Sequence, residues 1–328
     1  MKILVTGATG FIGSHLVEKL LTKGHQIRCF TRISSNLGWL QNLNIEYCKG
    51  DYFSQQTLVD AVRDVEFIYH TAGVTKAKTI KGYYDGNHIA TRNLLEAVIS
   101  GNPKIKRFIH ISSGAAVGPS YDGQPVDERT PFHQITSYGR SKMEAEKECL
   151  RLMDKIPITI VRPPAVYGPR DKDVFEFFNT IGKGIQPMIG FKDTFVSLIH
   201  VSDLINGIMQ ASEHPIAVGQ TYFISSERFY TWKELGEITA QIMGKKVLRI
   251  KIPKSFVYVI STAAEFLSLF STKPALLNIE KAKDMVQKFW IFKIEKAKIE
   301  LGFKENMGIE DGISETIKWY RDQGWLKS

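Results

Sequence analysis

The chain has 328 residues, 43% of them apolar and 23% charged, a length and balance that exclude disordered, collagen-like and disulfide-scaffold proteins and leave a soluble, enzyme-sized fold. Its 43 lysines and arginines outnumber 34 aspartates and glutamates, for a formal charge of +9, a sign that suits nucleic acid, an anionic membrane surface or an anionic small ligand. Much of the excess (Lys245, Lys246, Arg249, Lys251, Lys254, Lys273, Lys281, Lys283, Lys288, Lys293, Lys296, Lys298 and Lys304) is spread at helical spacing among apolar residues, which reads as a solvated helix face and predicts no nucleic-acid site.

The initiator methionine runs straight into a strand-like segment, leaving no room for a cleaved signal sequence. Val- and Ile-rich runs then alternate with stretches of helical period, the pattern of βαβ units on a parallel sheet. Strands are expected near Lys2–Thr6, Gln26–Phe30, Ile45–Cys48, Phe67–His70, Arg107–Ile111 and Thr159–Val161, and helices near Phe11–Thr22, Gln55–Val62, Tyr83–Ser100 and Ser137–Lys155. Right-handed crossovers place the helices on both faces. Past Arg162, prolines and glycines from Pro163 to Gly190 carry the chain out of the sheet. Thr194–Ile199 and Gln220–Ile224 read as returning strands around a helix at Ser202–Ala211.

From about Phe229 the pattern is helical: Thr231–Met243, Lys254–Phe270, Ala275–Gln287 and Ile309–Asp322. Within this stretch Ser255–Phe270 is strongly apolar but only 16 residues long and interrupted by Glu265, too short to span a bilayer. It reads as a buried helix. A helix lying in a membrane interface, helped by Lys251, Lys254 and Lys273, and a wall for a greasy substrate are the alternatives. Cys29, Cys48 and Cys149 are far apart, odd in number and in no metal-ligand spacing, so free thiols in the cytoplasm and no metal are expected.

Thr6-Gly7-Ala8-Thr9-Gly10-Phe11-Ile12-Gly13 joins the first strand to the first helix, the context in which a glycine pattern carries meaning. Gly7 permits the tight turn, Gly10 lets the backbone approach a pyrophosphate and Gly13 lets helix pack closely on sheet, while the amides at the helix start face the anion. The plain alternative is a glycine turn with no ligand. Further on, Tyr138-Gly139-Arg140-Ser141-Lys142 sets a phenol and an ammonium at i and i+4 on one helix face. A tyrosine is a poor base at neutral pH, but a positive neighbour favours the phenolate, and Lys142 supplies that charge. Tyr138 can then exchange a proton with an alcohol or carbonyl as hydride moves.

The Gly-x-x-Gly-x-x-Gly spacing resembles the short-chain dehydrogenase/reductase superfamily, and TGATGFIG its extended branch, the NAD-dependent epimerase/dehydratase family. The likeness extends through Ser112-Ser113-Gly114-Ala115-Ala116-Val117-Gly118, the Tyr138 and Lys142 helix, Arg162-Pro163-Pro164-Ala165-Val166-Tyr167-Gly168-Pro169 and His200-Val201-Ser202-Asp203-Leu204, about residues 1 to 225. It implies an α/β fold: a doubly wound parallel Rossmann sheet with a smaller, mostly helical substrate lobe. The dinucleotide domain is expected over residues 1–170 plus about 194–225, and the lobe over about 171–193 plus 226–328.

The resemblance also implies a cofactor site built from Gly7, Thr9, Gly10, Phe11, Ile12, Gly13, Arg32, Asp51, Tyr52, Thr71, Ala72, Gly73, Asn87, Tyr138, Lys142, Pro163 and Val166. The second strand ends in Cys29-Phe30-Thr31-Arg32, with no carboxylate for a ribose hydroxyl and one guanidinium for a 2′-phosphate, so NADP(H) is favoured over NAD(H). Asp51 matches the adenine-binding position and equally suits a helix N-cap. Aligned on Gly118, Ser113 is the residue that polarises the reacting oxygen, with Ser112 the alternative if a bulge shifts the register. Catalysis then falls to Ser113, Tyr138 and Lys142. Dimerisation through Tyr83–Ser100 and Ser137–Lys155 is implied by resemblance only.

Relatives acting on nucleotide-diphosphate sugars carry Asn and Arg where this chain has Ala165 and Val196. The missing donors point away from sugar-nucleotide epimerisation and toward reductases and dehydrogenases of apolar substrates, similar to dihydroflavonol reductases and 3β-hydroxysteroid dehydrogenases. Phe175, Phe177, Phe178, Phe191, Phe195 and Trp290 fit a greasy pocket or an ordinary core. A nucleotide-sugar epimerase or dehydratase and a non-catalytic cofactor-sensing protein remain as alternatives. The loop Val74–Gly82, expected to recognise substrate, carries no decodable motif.

Overall fold

The computed structural model describes residues 1–268 and 277–326. The strands in chain order are β1 (Lys2–Thr6), β2 (Gln26–Thr31), β3 (Glu46–Lys49), β4 (Phe67–His70), β5 (Arg107–Ile111), β6 (Ile158–Arg162), β7 (Ala165–Tyr167), β8 (Ile185–Ile189), β9 (Phe195–Val196), β10 (Leu198–His200), β11 (Thr221–Phe223), β12 (Tyr230–Thr231), β13 (Leu248–Ile252) and β14 (Phe289–Trp290). Seven of them form one parallel sheet in the order β11-β6-β5-β4-β1-β2-β3. Every residue of β5 and of β6 is buried, as a strand covered on both faces requires.

The helices are α1 (Phe11–Thr22), α2 (Gln55–Val62), α3 (Ile80–Tyr83), α4 (Ala90–Gly101), α5 (Ser137–Arg151), α6 (Phe175–Gly182), α7 (Val201–Glu213), α8 (Trp232–Met243), α9 (Lys254–Ser268), α10 (Ile279–Met285), α11 (Glu295–Leu301) and α12 (Ile309–Asp322). Leu16, Val17 and Leu20 of α1 share one core with Ile208 and Met209 of α7, while Leu58 and Val62 of α2, Leu94 and Val98 of α4 and Cys149 of α5 share another. The sheet is therefore wound on both sides. A third core joins α6, α8 and α12 through Phe178, Ile181, Leu235, Met243, Ile313 and Tyr320, and there Phe175, Phe177 and Phe178 serve as ordinary core.

Four sequence expectations need correction. The helix expected over Tyr83–Ser100 starts at Ile80 and passes through a π-helical turn at Tyr84–Ile89, whose extra residue per turn brings Asn87 to the interior. Thr194–Ile199 does not return to the main sheet: β9 pairs with β12 and β14, and β10 with β7. Ser197 breaks the segment, its amide donating to the Trp290 carbonyl (2.6 Å) and its hydroxyl accepting from the Phe292 amide (3.0 Å). The parallel pair β8 and β13 lies where the sequence suggested only punctuation and helix. Ser255–Phe270 is not a buried helix as far as it is described: over α9, Val257 and Ser261 are buried while Phe256, Val259 and Leu267 are exposed.

Candidate active site

The strand-to-helix turn after β1 can be built only from glycine at two points. Gly7 takes φ +72°, and a Cβ there would come within 2.7 Å of Thr71 and Ala72 backbone atoms. A Cβ on Gly13 would strike the Gly7 carbonyl, so α1 lies directly on the loop. The α1 N-terminus has no side-chain cap, which leaves the amides of Phe11, Ile12 and Gly13 for an anion. Thr71 is bound back onto β1, its hydroxyl donating to the Thr6 carbonyl at 2.7 Å, and with Ala72 and Gly73 it forms the floor beside the glycines.

At the end of β2, Arg32 is exposed and enters no ion pair among the described residues. Asp51 closes its own turn by accepting from the Phe53 amide at 3.1 Å, and the N-cap of α2 is Ser54. Tyr52 packs edge-on against Phe30 at 5.0 Å, and burial pushes its phenol up. Asn87 accepts from the Val74 amide (2.7 Å) and donates to the Ser141 hydroxyl (2.8 Å). Its side chain thus ties the Val74–Gly82 loop to α5. Pro163 accepts from the Gly114 amide at 2.8 Å, and Val166 packs at the edge of the α1 core.

The α5 N-terminus places Tyr138. Thr136 caps the helix, accepting from the Gly139 amide at 3.1 Å, and the Glu280 carboxylate of α10 accepts from the Ser137 amide, a charge suited to the positive end of the helix dipole. Because Gly139 has no side chain, the first turn packs onto the Ala115 carbonyl, two residues past Ser113, whose hydroxyl lowers the pKa of the Tyr138 phenol. Ser112 points elsewhere, donating to the buried carboxylate of Glu146. Of the two candidate serines, Ser113 is the one that acts on the Tyr138 phenol.

Lys142 is 3% exposed and its Nζ donates to the Ile111 carbonyl of β5 at 2.8 Å. Burial lowers the ammonium to about 8, opposed by Glu146. Glu146 is held by Arg162, Oε2 to Nη2 2.6 Å. Behind this group His70 and His110 stack at 5.4 Å; burial, then Lys142, lowers His70 to about 3 and His110 well below the usual range, so both are neutral.

The expected electrostatics of Tyr138 also need correction. Burial pushes the phenol up to about 12; Ser113 opposes the rise, and Asp173, Asp284 and Tyr83 add to it. Lys142 donates to β5 instead, and the charges that raise the phenol are those of the Asp173 and Asp284 carboxylates. Asp284 comes from α10, burial lifts its carboxyl to about 6, and its Oδ1 is buried with no hydrogen-bond partner among the described residues. Asp173 forms an ion pair with Lys76 of the Val74–Gly82 loop, which links the two segments. Sequence reasoning missed Asp173, Glu280 and Asp284, since no motif surrounds them. Around Ala165 the walls are apolar: Tyr167, Phe177, Leu198, Trp232 and Ile313. Phe191 is 73% exposed, and Phe195 stacks on Phe289 at 5.7 Å.

The chain is 28% identical over 326 residues to the ceramide reductase of Caulobacter vibrioides, covering 99% of this chain and 96% of that protein. It is 26% identical to a 3-beta-hydroxysteroid dehydrogenase of Mycolicibacterium neoaurum, covering 98% and 92%. Among solved structures, that of gox2253 superposes with a TM-score of 0.84 at 30% identity over 99% of each chain. The family model for the NAD dependent epimerase/dehydratase family matches residues 3–225, from the first strand of the sheet to the last. With a glycine cradle at one end of that sheet and a tyrosine–lysine helix beside it, the chain belongs to the NAD dependent epimerase/dehydratase family of enzymes.

Proposed function

We propose that this enzyme is an NADP(H)-preferring oxidoreductase that interconverts a ketone and a secondary alcohol on a small, mostly apolar or lipid-like substrate. The observation that carries the reading is the phenol of Tyr138. Buried beside Ser113 and two carboxylates, it is pushed up to about 12, so at neutral pH it holds the proton that a carbonyl oxygen takes on reduction. Ser113 donates a hydrogen bond to the same oxygen, and the neighbouring carboxylates make the phenolate left behind quick to take up a new proton. Lys142, still largely an ammonium at neutral pH, holds the nicotinamide ribose.

The cradle fits a dinucleotide: the space that side chains would fill at Gly7 and Gly13, and the uncapped amides of α1, suit a pyrophosphate. Arg32, exposed and outside any ion pair of the described residues, suits a 2′-phosphate. When bound, the cofactor supplies or accepts the hydride. Ala165 and Val196 offer no donor to a diphosphate, and the names of two relatives, a ceramide reductase and a 3-beta-hydroxysteroid dehydrogenase, favour an apolar substrate.

The test is to denature the purified protein, identify any released nucleotide by mass spectrometry, and titrate the stripped protein with NADPH and NADH. Exchangeable NADPH held more tightly than NADH supports the reading. Firmly retained NAD would overturn it in favour of an epimerase or dehydratase, which regenerates its cofactor in each turnover. Arg32→Ala should weaken NADPH about 10–100-fold, the worth of a charge-assisted hydrogen bond, and leave NADH unchanged. Tyr138→Phe should lower ketone reduction about 10²–10⁴-fold with NADPH affinity intact; unaltered turnover would remove Tyr138 from the chemistry.

A further inference from the structure

Helix α9 carries two apolar faces. Val257 turns inward onto Ala282 of α10 and Val286 just past its end, with Ile189 and Ile252 alongside. On the other side Phe256, Val259, Ile260, Ala263 and Leu267 recur at i, i+3, i+4, i+7 and i+11, a single stripe along the helix. That stripe faces outward: Phe256 is 54% exposed, Val259 62%, Ile260 39% and Leu267 67%. The turn after β8 carries a further exposed aromatic, Phe191, 73% exposed. The preceding Gly190 donates its amide to the Ile252 carbonyl at 2.8 Å and packs on the Lys254 side chain, which holds Phe191 beside the start of α9. A continuous exposed apolar surface of this kind marks an interaction site.

The surrounding charge says what kind of partner it fits. Lys192, Lys251 and Lys254 are exposed around the first turn of α9, and Lys245 and Lys246 at the far end of β13. None of the five enters an ion pair among the described residues. From residue 244 to 267 five basic residues face a single acid, Glu265. An apolar stripe bordered by lysines that lack counter-ions complements a bilayer surface with anionic headgroups. No helix among the described residues is long and apolar enough to cross a membrane, so the association is peripheral.

We propose that α9 and the Phe191 turn seat this protein on an anionic phospholipid surface, the apolar stripe sunk to the headgroup boundary and the lysines over the phosphates. The same lobe carries the substrate side of the site, because α9 rests on α10, which contributes Asp284 and Glu280 around Tyr138. Surface binding of this kind does not depend on which substrate the cleft accepts.

The test is flotation of the cofactor-free full chain with vesicles of phosphatidylcholine alone and with about 30% phosphatidylglycerol, at about 0.1 M and about 0.5 M salt. Binding is expected to the anionic vesicles only, falling with salt. Lys251→Gln with Lys254→Gln should weaken it about 30-fold, a factor of about five for each charge near an anionic surface. Phe256→Ser with Leu267→Ser should abolish it while NADPH binding and far-UV circular dichroism stay as in the wild type. No flotation with anionic vesicles, or binding that both double variants leave unchanged, would overturn the proposal. So would a concentration-dependent dimer that Phe256→Ser with Leu267→Ser dissolves while vesicles go unbound, since the stripe would then belong to a second copy.

Discussion

Replacing Lys142 by methionine keeps most of the side chain's length and apolar body and removes its charge. In the folded protein this lysine is 3% exposed, and burial holds its ammonium down from 10.5 to about 8. That depression corresponds to about 3 kcal/mol of unfavourable burial at neutral pH. The variant also loses the hydrogen bond from Nζ to the Ile111 carbonyl and leaves that acceptor buried, which costs about 1–2 kcal/mol. The balance is a net stabilisation of about 1–2 kcal/mol near pH 7, a rise in Tm of about 1–3 °C for a chain of this size.

The gain has a direction in pH. Because the folded-state pKa lies below the unfolded one, the folded protein binds fewer protons between about 8 and 10.5, and wild-type stability rises with pH through that window. Lys142→Met lacks the group, so its advantage should shrink above about pH 8 and turn into a deficit before pH 10.5, where the lost hydrogen bond alone remains. Thermal denaturation of cofactor-free wild type and variant across this range checks it, with ketone reduction measured in parallel and expected to be lost. A variant less stable than wild type near neutral pH, or a difference that stays flat as pH rises, would refute the burial argument.

The ion pair of Glu146 and Arg162 is 0% and 5% exposed, so Glu146→Gln should strand the guanidinium and destabilise the protein by about 3–5 kcal/mol in urea denaturation; a change under about 0.5 kcal/mol would mean that the site tolerates a lone buried charge. Gly13→Ala should abolish nucleotide binding in calorimetric titration, since the new methyl would meet the Gly7 carbonyl carbon and the Thr71 hydroxyl, each at 2.8 Å. Wild-type affinity in that variant would show that the loop can yield.

The parallel sheet was legible because its determinants are local and repeated: Val- and Ile-rich runs for β1, β4 and β5, apolar positions at helical spacing for α1, α2 and α12, and a glycine turn that no other residue could make. That Tyr138 and Lys142 stand one turn apart on a single helix was legible for the same reason. What the phenol meets was not. Glu146, which takes up Ser112, is thirty-four residues away in sequence, and the charges of Asp173 and Asp284 act on Tyr138 from two other segments. Their charge opposes the effect that the nearby lysine suggested.

The same division runs through the later part of the chain. Residues 194–199 have the composition of a strand, but composition does not say which hydrogen-bonding edge will claim it, and Trp290 and Phe292 do so from far along the chain. For α9 the sequence settled that a short apolar helix would form and that it could not cross a bilayer. Only the packing of Val257 on α10 decided which side went inward, and so which apolar residues were left facing solvent beside the lysines. Period and turn chemistry act between neighbours in sequence, whereas burial and electrostatic surroundings are properties of the assembled chain.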